Sequence, residues 1–125
     1  MIAADTSSLV AYFSGEAGRD VDKIASAMAA GDLVLPLVVV VEILSDPSGS
    51  LSLEAEIPLL ATLEIQDGYW TRAAHSRRTL HRNRLKAKIA DALIAQSCID
   101  HDVALITRDR DFRHFAKHCG LQLAQ

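Results

Sequence analysis

Apolar residues fall along this chain in short blocks whose spacing alternates between two periods. Ile2 to Ala4 is a brief apolar run that ends at Asp5. Thr6 to Ser8 are good helix starters, and Leu9, Val10 and Phe13 then repeat at helical spacing. Val21, Ile24, Ala25 and Met28 mark a second helix over Asp20 to Ala30, with Gly31 as its stop. "DLVLP" reads as a buried strand. In "LVVVVEIL" the β-branched content favours a strand, but Pro36 suits a helix start and a central strand tolerates proline poorly. A helix from Pro36 to about Ser45 is therefore expected.

"DPSGS" is a loop, Leu51 to Ile57 a short helix and "LLATLEI" a strand. Asp67 is placed to cap a helix through about His81, with Tyr69, Trp70, Ala73, Ala74 and Leu80 as its apolar face. Asn83 suits the left-handed turn after it. Lys88 to His101 forms a further helix, apolar from Ile89 to Ala95 except at Asp91. "VALIT" is a strand, "RDRDF" a loop, Phe112 to His118 a helix stopped by Gly120, and "LQLA" a last strand. Alternating strands and helices imply a parallel sheet with helices on both faces. The 125 residues suit one domain over 1–125, and no repeat or linker divides them.

Half the residues are hydrophobic, which excludes a disordered chain. The longest apolar run, Leu33 to Val41, is too short to span a membrane, and the N-terminus lacks the basic start of a signal peptide. Cys98 and Cys119 are the only cysteines and suggest no zinc site, so a reduced, cytoplasmic setting is expected. The net charge of −3 hides a strong asymmetry. "TRAAHSRRTLHRNRLKAK", Thr71 to Lys88, contains no acid. It is either a solvated helix face with a basic turn or an edge that follows phosphates.

Four acids occupy comparable places. Asp5 ends the first strand and Asp109 follows the strand "VALIT", both outside strand carboxyl ends where open parallel sheets bind ligands. Glu42 and Asp91 each interrupt an apolar helix. Converging carboxylates repel unless a cation sits among them, and an oxygen-only set favours Mg²⁺ or Mn²⁺. The chemistry left to such a set is mostly phosphoryl transfer to water. Each acid also has a plainer use: Asp5, Asp109 or Asp111 as helix caps, Asp91 paired with Lys88 or an arginine, Glu42 reaching out of a helix end.

"IAADTSSLVAYF", "VVVEILS", "IADALIAQSCIDHDVALITRDRDF" and "GLQLA" resemble, in order and over nearly the whole chain, the PIN domain, specifically the VapC-type toxins of prokaryotic toxin–antitoxin pairs. The resemblance implies a three-layer α/β/α sandwich around a mostly parallel sheet. It implies Mg²⁺- or Mn²⁺-dependent hydrolysis of RNA, leaving a 5′-phosphate and inhibiting translation. The family's catalytic and metal-binding acids fall on Asp5, Glu42, Asp91 and Asp109. Thr6, Ser7 and Thr107 match the small hydroxyl positions, and Asp111 is an auxiliary acid. A VapB-like antitoxin and a homodimer are the implied partners. Where the family often has glycine before the third-acid helix, this chain has "NRLKAK", a more basic approach. RNA contacts by Arg77, Arg78, Arg82, Arg84, Lys86 and Lys88 are expected from their charge, not from the family. A non-catalytic RNA-binding PIN scaffold is the alternative. A receiver-like Mg²⁺ module fits less well, since Thr6 follows Asp5 where that class wants an acid.

Overall fold

The computed structural model describes residues 1–124, without the side chains of residues 51 and 52. Strand β1 (Ile2–Ala4) leads into helix α1 (Thr6–Phe13), then α2 (Arg19–Ala30), β2 (Leu33–Pro36) and α3 (Leu37–Leu44). Helix α4 (Leu51–Glu56) runs into a single 3₁₀ turn, Ile57–Leu59, before β3 (Ala61–Leu63). Helices α5 (Tyr69–Arg82) and α6 (Ile89–Asp100), strand β4 (Ala104–Ile106) and helix α7 (Phe112–Cys119) complete the chain.

The sheet has the order β3-β2-β1-β4, and every pairing is parallel. All four residues of β2 are buried, which requires helices over both faces of the sheet. Helix α6 runs through the packed interior: Ala92, Ile94, Ala95, Gln96, Ser97 and Cys98 are all buried. Pro36 closes β2 opposite Leu63 and launches α3, its ring presetting φ at −57°. No helix among the described residues is long and apolar enough to cross a membrane.

Several sequence expectations shift. The cap of α5 is Gly68, at φ 82° in the left-handed region, and not the side chain of Asp67. Arg72 folds back instead and donates to the Asp67 carbonyl at 2.7 Å. Trp70 and Ala74 are exposed, because only Tyr69, Ala73 and Leu80 point inward from that helix. Arg84, at φ 59°, takes the left-handed position expected of Asn83. Asn83 uses its amide to hold the Thr79 carbonyl at 2.8 Å. "LQLA" contributes one parallel bridge, Leu123 to Leu105, not a full strand.

Helices α5 and α6 are joined by a polar chain. Arg72 grips the nearly buried Asp100 carboxylate with two bonds of 2.9 and 2.6 Å, Gln96 donates to the same group, and Ser76 donates to Gln96. Removing Asp100 would leave Gln96, which is buried, short of an acceptor. Asp100→Ala is expected to lower stability by about 1–3 kcal/mol, the cost of an orphaned buried polar group, as read by urea unfolding.

Candidate metal centre and active site

The register of β1 against β4 sets the site. Ala4 lies opposite Ile106, so the next residues, Asp5 and Thr107, leave the sheet side by side. Asp5 is 3 % exposed and caps α1, accepting from the Ser8 amide at 3.1 Å. The Ser7 hydroxyl donates to it at 2.9 Å, and the Thr107 hydroxyl at 2.6 Å. Burial pushes the Asp5 carboxyl above the ordinary range, these bonds oppose that, and the charge of Asp109 adds to it.

Thr107 also accepts from the Asp109 amide at 3.0 Å. The loop then curls, with the Asp109 carboxylate accepting from the Asp111 amide at 2.9 Å. This curl returns the second aspartate to the first. As a result Asp91, Asp109 and Asp111 offer carboxylate oxygens that all lie within 4.8 Å of one another. Asp91 projects from the first turn of α6. Its pKa is pushed up to about 6, first by burial and then by the charges of Asp109, Asp111 and Glu42, against the pull of Lys88.

Glu42 on α3 is only half-buried, and its neighbour Val41 is 66 % exposed. Its carboxylate accepts from the Thr6 hydroxyl at 2.7 Å, which aims it from α3 toward the start of α1. The acid in the apolar run is thus held by a threonine next to Asp5, near enough for its charge to act on Asp91.

The structure therefore gathers all four expected acids at one end of the sheet, with Asp111 as close a member as Asp109. Asp5 both caps a helix and faces the group. Basic side chains do little to neutralise it: Lys86 lies 3.7 Å from Asp111, and Lys88 acts on Asp91 only through space. Arg108, inside the "TRDRDF" motif, is turned away. It donates to Asp20 at 2.7 and 3.2 Å, lowering that carboxyl to about 2, while Ser8 donates to Asp20 at 2.8 Å. Spacing along the chain does not reveal this clamp, because an aspartate at a helix start looks like a cap.

The basic segment divides in two. Arg72 is committed to Asp100, and Arg77 donates through Nε to the Ala87 carbonyl at 2.7 Å. Arg77, Arg78 and Arg82 line a cleft of about 360 Å³ with His81. Arg84, Lys86 and Lys88 are exposed on the turn that leads to the acids.

The donor set is all oxygen, crowded and under-neutralised, which fits a hard divalent cation. Asp91, Asp109 and Asp111 would hold it, with Glu42 and Asp5 at the margin.

The PIN domain pattern matches residues 2–118. No curated protein sequence matches. Among solved structures, FitAcB from Neisseria gonorrhoeae is similar at 18 % identity and a TM-score of 0.74, over 100 % of this chain and 97 % of that one. VapBC2 from Rickettsia felis, bound to a DNA fragment from its promoter, is similar at 17 % identity and a TM-score of 0.74, over 99 % and 98 %. At such identity these likenesses establish the fold.

Proposed function

This chain belongs to the PIN-domain family, and on that premise we propose that it is a Mg²⁺- or Mn²⁺-dependent endoribonuclease acting as the toxin of a toxin–antitoxin pair. The observation that carries this reading is the meeting of Asp91, Asp109 and Asp111 within 4.8 Å, three carboxylates against one ion pair, Lys86 to Asp111, and the more distant pull of Lys88. A divalent ion bound there supplies activation of water and neutralisation of charge on a phosphodiester.

The chain's own residues prepare the site. Ser7, Thr107 and the Ser8 amide fix the Asp5 carboxylate in one orientation, and Thr6 does the same for Glu42. The Asp109–Asp111 curl keeps two acids turned toward Asp91. The basic turn at Lys86 and Lys88 stands beside these acids, where an RNA backbone would arrive. The partner part of the reading, a homodimer neutralised by a VapB-like antitoxin, is supported by the apolar outward side of α3, where Leu37, Val41 and Leu44 are exposed. It is supported too by the complex with promoter DNA in which the similar VapBC2 was solved.

The test is incubation of unstructured RNA with the protein in Mn²⁺ and in chelator, with analysis of product ends. Cleavage in Mn²⁺ only, leaving 5′-phosphates, is expected. RNA binding without cleavage in any metal would leave a non-catalytic scaffold.

Two smaller effects follow from the same geometry. Glu42→Gln keeps an oxygen for the Thr6 hydroxyl but removes one repelling charge. It is expected to lose cleavage yet melt no lower than wild type in chelator. Melting several degrees lower with cleavage retained would make Glu42 a structural residue. Replacing Arg78 and Arg82 together by alanine is expected to weaken RNA binding and to flatten the log–log salt dependence by about 1.4, two released counterions on a single strand. An unchanged slope would mark α5 as a solvated face.

A further inference from the structure

Trp70 is the chain's only tryptophan, and it is 60 % exposed. It stands at the start of α5, edge-on to Tyr69 with ring centroids 5.0 Å apart. Tyr69 is itself pinned, its hydroxyl donating to the Leu93 carbonyl at 2.5 Å. The indole thus projects from a fixed base. Across from it on α6, Ile89 is 61 % exposed. Small residues, Ala73, Ala74 and Ala92, lie with these two large ones around a cleft of about 230 Å³. Large walls over alanines make a slot suited to a flat group.

Arg77 lines this slot and also the neighbouring basic cleft with Arg78 and Arg82, so the two adjoin along α5. The bond from its Nε to the Ala87 carbonyl holds Arg77 at the junction and leaves its terminal nitrogens available to a phosphate. An aromatic platform running into a cationic groove is the pairing that single-stranded nucleic acid requires: a face for a base and charge for the backbone.

We propose that the Trp70 slot takes one unpaired base of the RNA substrate, stacked on the indole, while the adjoining phosphates follow Arg77, Arg78 and Arg82. This rests on the ribonuclease reading and adds to it a preference for single strands, because a paired base has no free face to offer. Ile89, Ala92 and Leu93 border the slot, whereas Asp91 lies about half a turn round α6, on the side of the acids. The base held is therefore a flanking one, separated from the cleaved phosphate by the first turn of α6. A second copy of the chain fits the slot poorly. A two-fold contact through α5 would set the acid-free stretch from Thr71 to Lys88 near its own image.

Because Trp70 is the sole tryptophan, its emission reports on this slot directly. The full-length protein is titrated in chelator, where cleavage is off, with end-labelled oligouridylate, oligoadenylate and a duplex RNA of equal length. Label anisotropy reads binding while indole emission reads the slot. Saturable quenching that follows anisotropy for the single strands and not for the duplex is expected. Trp70→Ala should weaken single-strand binding about 5- to 150-fold, the loss of one base stack at 1–3 kcal/mol, with an unchanged melting temperature. Trp70→Phe should recover most of it. Binding with unchanged emission, equal quenching by duplex, or full affinity in Trp70→Ala would overturn the proposal. So would emission that shifts with protein concentration and ignores RNA, which would assign the slot to a second copy. Cleavage in Mn²⁺ without quenching would sink this inference alone, and quenching without cleavage would sink only the nuclease reading.

Discussion

Asp91→Asn is expected to abolish RNA cleavage and, in chelator at neutral pH, to be more stable than wild type. Both outcomes come from one crowded carboxylate. Burial, then Asp109, Asp111 and Glu42, raise the Asp91 pKa from 3.8 to about 6. In the unfolded chain that proton leaves near pH 4; in the folded protein it stays until about pH 6. Across this window the folded state binds more protons than the unfolded state, so this group's contribution to stability falls as pH rises. Above pH 6 the loss is complete and the contribution is flat. Asparagine does not titrate, so the difference between the two proteins should grow from pH 4 to pH 6 and then level off. Urea midpoints measured in EDTA over that range read Asp91 together with its coupling to Asp109, Asp111 and Glu42, whose own titrations shift once its charge is gone. Cleavage should fall by more than about a hundredfold, because disturbing an outer partner of a metal ligand already costs roughly 10–100-fold. An asparagine variant that unfolds more easily and still cleaves would show Asp91 to be a structural acid.

Asp5 separates charge from shape in the same way. Asp5→Asn keeps an oxygen to cap α1 at the Ser8 amide but has no negative charge for a cation. Asp5→Ala removes the cap and also the acceptor that the Thr107 and Ser7 hydroxyls share. Cleavage should be lost in both. Stability should be close to wild type in the asparagine variant and lower by about 1–2 kcal/mol in the alanine variant, the usual worth of an N-cap. Urea unfolding beside the cleavage assay reads the two effects apart. Equal destabilisation by both changes would mean that the charge, not the cap, holds α1 in place.

The site was legible where a residue broke its local pattern. Glu42 and Asp91 stand out because each sits in an apolar helix, and Asp5 and Asp109 because each follows a buried strand. Asp111 was legible only as an auxiliary acid. Its approach to Asp91 depends on the bond from its own amide to Asp109, a matter of loop geometry that spacing does not encode. Asp20 was read as a helix starter, because its partners Ser8 and Arg108 are remote in sequence or belong to another element. Trp70 groups by spacing with the apolar face of α5, beside Tyr69 and Ala73, yet it lies outside. One step of the helix, about 100° from Tyr69, was enough to carry it outside. Strands β1, β2 and β4 were legible as apolar runs, since parallel strands covered on both faces are apolar throughout. The last expected strand failed because "LQLA" holds its neighbour by a single bridge.

Calorimetric titration of Mn²⁺ into metal-free wild type and Asp91→Asn tests the central claim, that these carboxylates form a divalent-cation site. Wild type is expected to bind saturably and, at a hundredfold excess over its dissociation constant, to gain about 2.7 kcal/mol of stability, while the variant gives no saturable heat. Equal binding by the two proteins, or no binding by a wild type that still cleaves RNA in chelator, would contradict it.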